Sequence, residues 1–206
     1  GDSIIKNIDP KKLSKKRVHK CSYPGKTTEQ ISHEITNLKI NTSPSHVIIH
    51  AGTNNLVTTD SPNSCAIKIE KLATKIQQKF PQAKIAISGL TSREDVDVST
   101  KLDSMNSELR SIAKKHGFYF VDNSIIDSSC LNGSKLHLNP KGSALLAVQF
   151  IKFLRSNGHH HGSAGTSTKR VNSRRDFQQM STLQQLGNLL MNLGSIQPQF
   201  RRGRDR

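Results

Sequence analysis

The chain has 206 residues, a length that fits one domain with an appendage, and 33% of them are hydrophobic. Its net charge of +16 indicates either an anionic partner or simply a basic, solvated surface. No stretch approaches the ~20 apolar residues of a membrane-spanning helix, which excludes that class of protein. Three cysteines at no metal-ligand spacing exclude a disulfide framework and predict free thiols in a cytoplasmic chain: Cys21, Cys65 and Cys130.

Short apolar segments that end in polar or glycine-containing turns predict buried parallel strands. Segment 17–22 is a weaker strand candidate. Between these segments, apolar residues recur three or four apart, as in amphipathic helices. The predicted strands are 47–51, 84–89 and 118–122, and the predicted helices are 27–38, 64–80, 99–116 and 140–154.

Alternating strands and helices predict an α/β fold, a three-layer α/β/α sandwich with a parallel sheet. Ligand sites in such sheets gather at the carboxyl ends of the strands, where Asn54 falls. The patterned part of the chain predicts one domain over residues 1–157.

The remaining residues, 158–206, read as a flexible linker and a basic tail with a short amphipathic helix between 177 and 193. Three consecutive histidines at 159–161 could bind a metal, but a polar linker or the remnant of a tag explains them better. We therefore predict no metal and no cofactor.

The positive charge is clustered, in one run near the start of the chain and in two parts of the tail. Such clusters predict contact with RNA or DNA, or with an acidic membrane surface. The candidate nucleic-acid-binding residues are Lys11, Lys12, Lys15, Lys16, Arg17, Lys169, Arg170, Arg174, Arg175, Arg201, Arg202 and Arg204.

Three motifs together supply the groups of a serine hydrolase. Ser3 is a candidate nucleophile, although a serine in that position could merely cap a helix that begins there. His137 is a candidate base, although a lone histidine is more often a surface or core residue. The N–H groups of Ser3 and Gly25 and the side-chain amide of Asn54 could donate to an oxyanion.

In combination these motifs resemble the four sequence blocks of the SGNH (GDSL-type) hydrolases over about residues 1–155, and Gly-Thr-Asn-Asn resembles the platelet-activating-factor acetylhydrolase branch. The resemblance implies Ser3 as nucleophile, His137 as base, and Ser3, Gly25 and Asn54 as the oxyanion hole. The blocks are Gly1-Asp2-Ser3, Gly25, Gly52-Thr53-Asn54-Asn55 and His137-Leu138-Asn139.

Two departures from the family pattern bear on activity. The family usually has Asp three residues before the His, and this chain has Ser134 there. Ser134 itself, a backbone carbonyl, Asp127 or Asp122 would then have to orient the imidazole; otherwise the site is a Ser-His dyad, or weak. The nucleophile motif normally follows a central strand, and this chain begins at Gly1. We therefore expect that strand to be absent and Ser3 to be loosely held.

Two functions follow. The first is a serine esterase acting on short-acyl or lipid-type esters. The second is a catalytically weak SGNH fold that serves as a basic RNA- or DNA-binding component of a ribonucleoprotein particle. An esterase module with a basic, Gln- and Arg-rich tail also resembles the first open-reading-frame protein of certain LINE-type retrotransposons, in which the esterase accompanies nucleic-acid-binding segments.

Overall fold

A three-stranded parallel sheet forms the centre of the fold in the computed structural model, which describes residues 1–57 and 61–156. The strands follow one another across the sheet in chain order, so each crossover moves to the adjacent position. They are β1 (His46–Ile49), β2 (Lys84–Ser88) and β3 (Tyr119–Val121), each within three residues of its predicted bounds.

Helices connect the strands, and local sequence signals set their ends. Thr27 and Gln30 form a capping box at the start of α2, and Gly117 ends α4 in the left-handed conformation that glycine adopts without strain. All four predicted helices are confirmed, with ends within two residues. The helices are α1 (Pro10–Leu13), α2 (Thr28–Asn37), α3 (Pro62–Lys79), α4 (Ser99–His116) and α5 (Pro140–Arg155).

Both faces of the sheet are covered, which confirms the three-layer α/β/α sandwich. Ile85 and Ile87 on β2 are buried among apolar side chains of α2, α3 and α4. Ala86, which points to the opposite face, is buried with α1, α5 and the short turns near them. Because each face packs on helices, strands that are apolar on both sides are stable here.

Segment 17–22 is not a strand, so that prediction is wrong. A strand needs a continuous backbone partner, and among the described residues this segment has only one backbone bond, from Gly1 N to Cys21 O (2.8 Å); the bond from Tyr23 N to Gly1 O (2.9 Å) lies just beyond its end. Asp2 N donates in turn to the carbonyl of His50, just after β1, over 3.0 Å. These bonds fix the turn that carries Ser3 against β1, in contrast to the loose attachment expected from the sequence.

The predicted linker and basic tail, the histidines at 159–161 and the basic residues from Lys169 onward lie outside the described residues. Their organisation stays a prediction. No helix within 1–57 and 61–156 is both long and apolar enough to cross a membrane.

Candidate active site

Ser3 begins a short 3₁₀ helix, Ser3–Asn7, at the carboxyl end of β1. The cap of this helix is Asp2, whose Oδ1 accepts from Ile4 N over 3.1 Å. Since Asp2 does the capping, the alternative in which Ser3 is only a helix cap is wrong. The Ser3 hydroxyl is left to face another group, although the residue is only 8% exposed.

That other group is His137, whose Nε2 lies 3.1 Å from Ser3 Oγ. The histidine is held in a tight loop: Leu131 and Leu138 form an antiparallel bridge, and Asn132 N donates to His137 O over 2.8 Å. The fold thus brings together two residues that are 134 positions apart in the chain, at the distance over which a base accepts a hydroxyl proton.

The residues after His137 explain why the loop stops where it does. Asn139 caps α5 through its side chain, and its amide donates to the carbonyls of Ser129 and Leu131. Pro140 occupies the first turn of α5, where a missing N–H costs nothing. A Cβ at Gly142 would lie 2.5 Å from the carbonyl oxygen of Cys130, so only glycine allows α5 to begin so close to that segment.

Burial is the largest influence on the His137 imidazole, and it lowers the pKa below the ordinary 6.5. The positive charges of Lys6 and Arg93 lower the pKa further, whereas Asp95 and Asp2 act in the opposite direction. The net result is an imidazole that is neutral at neutral pH, the form that can accept a proton from Ser3.

The second ring nitrogen, Nδ1, lies 3.3 Å from Ser134 Oγ. The Ser134 hydroxyl donates to Asn132 Oδ1 over 2.6 Å, which leaves its lone pairs as acceptors. The arrangement favours a proton on Nδ1 and leaves Nε2 to accept from Ser3. Ser134 Oγ also accepts at 3.3–3.4 Å from the backbone N–H groups of Leu136 and His137, so its bond to Nδ1 is shared and weak.

The structure does not bring the two carboxylate candidates to His137. Asp127 caps the short 3₁₀ helix Ser128–Cys130 by accepting from Ser129, and Asp122 accepts from Ser124 N and Arg110. Both carboxyl groups therefore have other partners. Of the proposed orienting groups, only Ser134 reaches the imidazole.

Two of the oxyanion-hole candidates, Asn54 and Gly25, belong to loops that are joined by a hydrogen bond. Asn54 Nδ2 donates to Lys26 O over 2.9 Å, which uses one of the two amide hydrogens and joins Asn54 to the turn that contains Gly25. Gly25 has φ +72°, and no described residue accepts from its backbone N–H or from that of Ser3. The N–H groups of Gly25 and Ser3 and the second amide hydrogen of Asn54 therefore have no acceptor among the described residues.

Residues 9–145 match the model of the GDSL-like lipase/acylhydrolase family. The chain belongs to this family. The match includes Gly25, Asn54 and His137 and begins after Ser3, so the assignment of Ser3 depends on the geometry above. Membership confirms the predicted resemblance to the SGNH (GDSL-type) hydrolases and the predicted class, a serine ester hydrolase.

Solved structures of low sequence identity share the fold. A GDSL-family lipolytic protein from Veillonella parvula has a TM-score of 0.64 at 16% identity, over 75% of this chain and 96% of that one. A Streptococcus pneumoniae protein provisionally described as a platelet activating factor has a TM-score of 0.64 at 16% identity, over 74% of this chain and 80% of that one. A carbohydrate esterase of family 3 from Talaromyces cellulolyticus has a TM-score of 0.58 at 17% identity, over 65% of this chain and 68% of that one. No curated protein matches the sequence.

Arg93 is a residue of this GDSL-family site that the sequence analysis missed. Its guanidinium forms a bidentate pair with Asp95 (2.8 and 2.6 Å), and Nη1 donates to Thr53 O over 3.0 Å, beside Asn54. The next residue, Glu94, donates its N–H to Lys135 O over 2.7 Å. Segment 93–95 thus links the Asn54 loop to the His137 loop. In the sequence, only its position shortly after β2 indicated that it could lie near the site.

Asn55, the second asparagine of Gly-Thr-Asn-Asn, holds the Asn54 loop against the first residues of α2. Its Oδ1 accepts from the backbone and the hydroxyl of Thr28, both at 2.9 Å, and its Nδ2 donates to Glu29. Burial alone would raise the pKa of Glu29, but the hydrogen bonds from Lys68 and Asn55 outweigh it and lower the pKa to about 2. The loop is thereby fixed to the start of α2.

The basic run of residues 11–17 covers α1 and the irregular segment after it. Its cationic side chains are all exposed: Lys11, Lys12, Lys15, Lys16 and Arg17. Among the described residues, no group of three or more His, Cys, Asp or Glu side chains is arranged to hold a metal ion.

Proposed function

We propose that this GDSL-family chain hydrolyses carboxylic esters through an acyl-enzyme, with Ser3 as the nucleophile and His137 as the base. The observation that carries the proposal is the 3.1 Å contact between Ser3 Oγ and His137 Nε2. The contact of Nδ1 with Ser134 supports it, because this contact favours the tautomer in which Nε2 accepts a proton.

In the first half of the reaction, Ser3 Oγ attacks the ester carbonyl carbon as its proton moves to His137 Nε2. The carbonyl oxygen becomes an oxyanion that accepts from the N–H groups of Ser3 and Gly25 and from the second amide hydrogen of Asn54. The carbon–oxygen bond to the alcohol then breaks, and His137 returns the proton to the leaving alkoxide, which leaves the acyl group on Ser3.

In the second half, water takes the place of the alcohol. His137 Nε2 removes a proton from the water, the resulting hydroxide attacks the acyl carbon, and the same three donors hold the new oxyanion. Collapse releases the carboxylic acid, and His137 protonates Ser3 Oγ. During both halves the imidazolium keeps Nδ1–H directed at Ser134, a neutral acceptor that stabilises the charge less than a carboxylate would.

Esters with short acyl groups are the substrates that fit an open site of this kind. Gly25 and Ser134, at its two sides, are exposed, so the reacting carbonyl lies near solvent. One solved structure of the same fold is an acetylxylan esterase from Geobacillus stearothermophilus (TM-score 0.53, 16% identity). Lipid-type esters would need a longer apolar wall, and a comparison of acyl lengths separates the two substrate classes.

The test is hydrolysis of nitrophenyl acetate and nitrophenyl decanoate by the parent chain, by Ser3→Ala and by Ser104→Ala. Ser104 lies on the exposed face of α4 and serves as the matched control. We expect the acetate to be preferred, Ser3→Ala to be inactive and Ser104→Ala to match the parent. Full turnover by Ser3→Ala would show that another residue is the nucleophile.

The second function, binding of an anionic polymer such as RNA, is favoured by the exposed run Lys11–Arg17. Five cations within seven residues form a footprint that would bind phosphates and release counterions. Replacing the five with Gln should weaken RNA binding and flatten its salt dependence, without loss of ester hydrolysis. If the parent chain binds RNA but Ser3 does not react and no ester is hydrolysed, the alternative of an inactive, RNA-binding fold is favoured. The tail and the retrotransposon context stay predictions.

A further inference from the structure

A second imidazole, His50, is buried beneath the nucleophile turn and has no role in the mechanism above. It is 1% exposed, immediately after β1, and its carbonyl oxygen accepts from Asp2 N over 3.0 Å. Its Nδ1 lies 2.9 Å from Ser88 Oγ at the end of β2. A buried histidine that contacts both the strand ends and the residue before Ser3 is placed to influence the nucleophile.

The hydrogen bonds around Ser88 determine which nitrogen of His50 carries the proton. Ser88 Oγ accepts from Asn123 Nδ2 over 2.8 Å, so its own proton must be donated elsewhere. Gly89 O is 3.5 Å away and already accepts from Asn123 at 2.5 Å, whereas His50 Nδ1 is only 2.9 Å away. Ser88 therefore donates to Nδ1, and the proton of the neutral ring is on Nε2.

Six buried side-chain atoms lack a hydrogen-bond partner among residues 1–57 and 61–156, and two of them belong to Asp2 and His50, whose backbones are already joined by a hydrogen bond. One is His50 Nε2, which the tautomer makes a donor, and the other is Asp2 Oδ2, an acceptor. Both residues are 1% exposed. A buried donor or acceptor without a partner is unfavourable, so a donor and an acceptor on two residues whose backbones are already bonded favour a bond between them.

We propose that Asn123, Ser88, His50 and Asp2 form a buried hydrogen-bond relay, closed by His50 Nε2–H donating to Asp2 Oδ2 directly or through one water molecule, which positions the turn that carries Ser3. The proposal rests on the proposed function in one respect, because it takes Ser3 as the nucleophile.

The relay acts on Ser3 through the two oxygens of Asp2. Oδ1 accepts from Ile4 N and so sets the start of the 3₁₀ helix. In the relay, Oδ2 accepts from His50, which follows β1 directly. With both oxygens engaged, the carboxylate cannot rotate, and the Ser3 hydroxyl keeps its 3.1 Å contact with His137. His50 is thus a positioning residue, and it touches no reacting atom.

The variants His50→Gln and His50→Met test the relay, because both are close to histidine in size and only Gln keeps a donor near the Nε2 position. His50→Met should lower kcat about tenfold or more, as expected for a nucleophile out of position, with KM changed by less than about twofold. His50→Gln should restore most of kcat. A merely structural role would lower the melting temperature of both variants without this difference in kcat. Equal kcat values for both variants and the parent would overturn the proposal.

A measurement that needs no activity separates this proposal from the proposed function. Nitrogen-15 NMR of the parent chain should show His50 as the Nε2–H tautomer, and Ser88→Ala should move part of the population to Nδ1–H. An Nδ1–H ring in the parent would overturn the relay even if esters are hydrolysed. If the parent hydrolyses no ester, the proposed function fails, and the tautomer together with its shift in Ser88→Ala decides the relay alone.

Discussion

Replacing Ser134 with Asp should make the enzyme faster, because His137 now has only a weak neutral partner at Nδ1. Ser134 Oγ lies 3.3 Å from Nδ1 and also accepts from two backbone N–H groups at 3.3–3.4 Å. A carboxylate offers two oxygens, so one can accept from the backbone while the other accepts from the imidazole. Asn132, which now accepts from the Ser134 hydroxyl, can turn its amide to donate instead.

The size of the gain follows from the exposure of the site. Two unit charges about 4 Å apart interact by about 4 kcal/mol near a protein surface and by about 1 kcal/mol in water. Because Ser134 is exposed, about 2 kcal/mol is a reasonable value, and the lost bond to Asn132 offsets about 1 kcal/mol of it. The remainder, about 1 kcal/mol, corresponds to about a fivefold rise in kcat, far below the ~10⁴ that a buried aspartate contributes in the Ser-His-Asp template.

The assay is kcat and the pH profile of kcat/KM for the parent, Ser134→Asp and Ser134→Asn, the last being an uncharged match in size. The new carboxylate favours the imidazolium, so it raises the pKa of His137 and moves the acid limb of kcat/KM to higher pH. The Asn variant should show neither effect. If the Asp variant gains nothing over Asn and its acid limb does not move, residue 134 does not face His137 and the assigned tautomer is wrong.

The remaining predictions concern other parts of the site. Asn54→Ala should lower kcat by about 10²–10³ with little change in KM, since the donor acts on the transition state; a rise in KM at constant kcat would contradict this role. The acid limb of kcat/KM for the parent should lie below pH 6.5, and Lys6→Gln should move it upward, because the Lys6 charge lowers the pKa of His137 and only the neutral ring is active. Gly52→Ala should destabilise the fold by about 2 kcal/mol in denaturant unfolding, because φ is +115° and a Cβ would lie 2.8 Å from Ile69 Cδ1; an unchanged midpoint would refute this.

The sequence predicts the elements of this fold well because their signals are local. The periodicity of α4, for example, gives its bounds without error, and Pro140 marks the start of α5. Segment 17–22 has the composition of a strand, but whether it pairs depends on which backbone lies beside it. That neighbour is set by the tertiary fold, so composition alone could not decide the outcome.

The proposed catalytic residues could be predicted from the sequence, and the residues that support them could not. Ser3 and His137 stand in motifs with recognisable neighbours, and the resemblance to the SGNH hydrolases implied that an orienting group would stand three residues before His137, at Ser134. Arg93 and His50 act through a backbone carbonyl and a buried hydroxyl, contacts that leave no pattern in the chain. Asp127 looked suitable as a carboxylate, but it is used as a local cap, a competition that only the folded geometry reveals.

Covalent trapping tests the nucleophile most directly. The parent chain would be incubated with a fluorophosphonate probe and digested, and the modified residue identified by mass spectrometry, with His137→Ala as the comparison. We predict a single adduct on Ser3 that forms at a rate following the neutral fraction of His137, and much slower labelling in His137→Ala. An adduct on any other serine, or ester hydrolysis with Ser3 unmodified, would contradict the assignment of Ser3 and His137 as the catalytic pair.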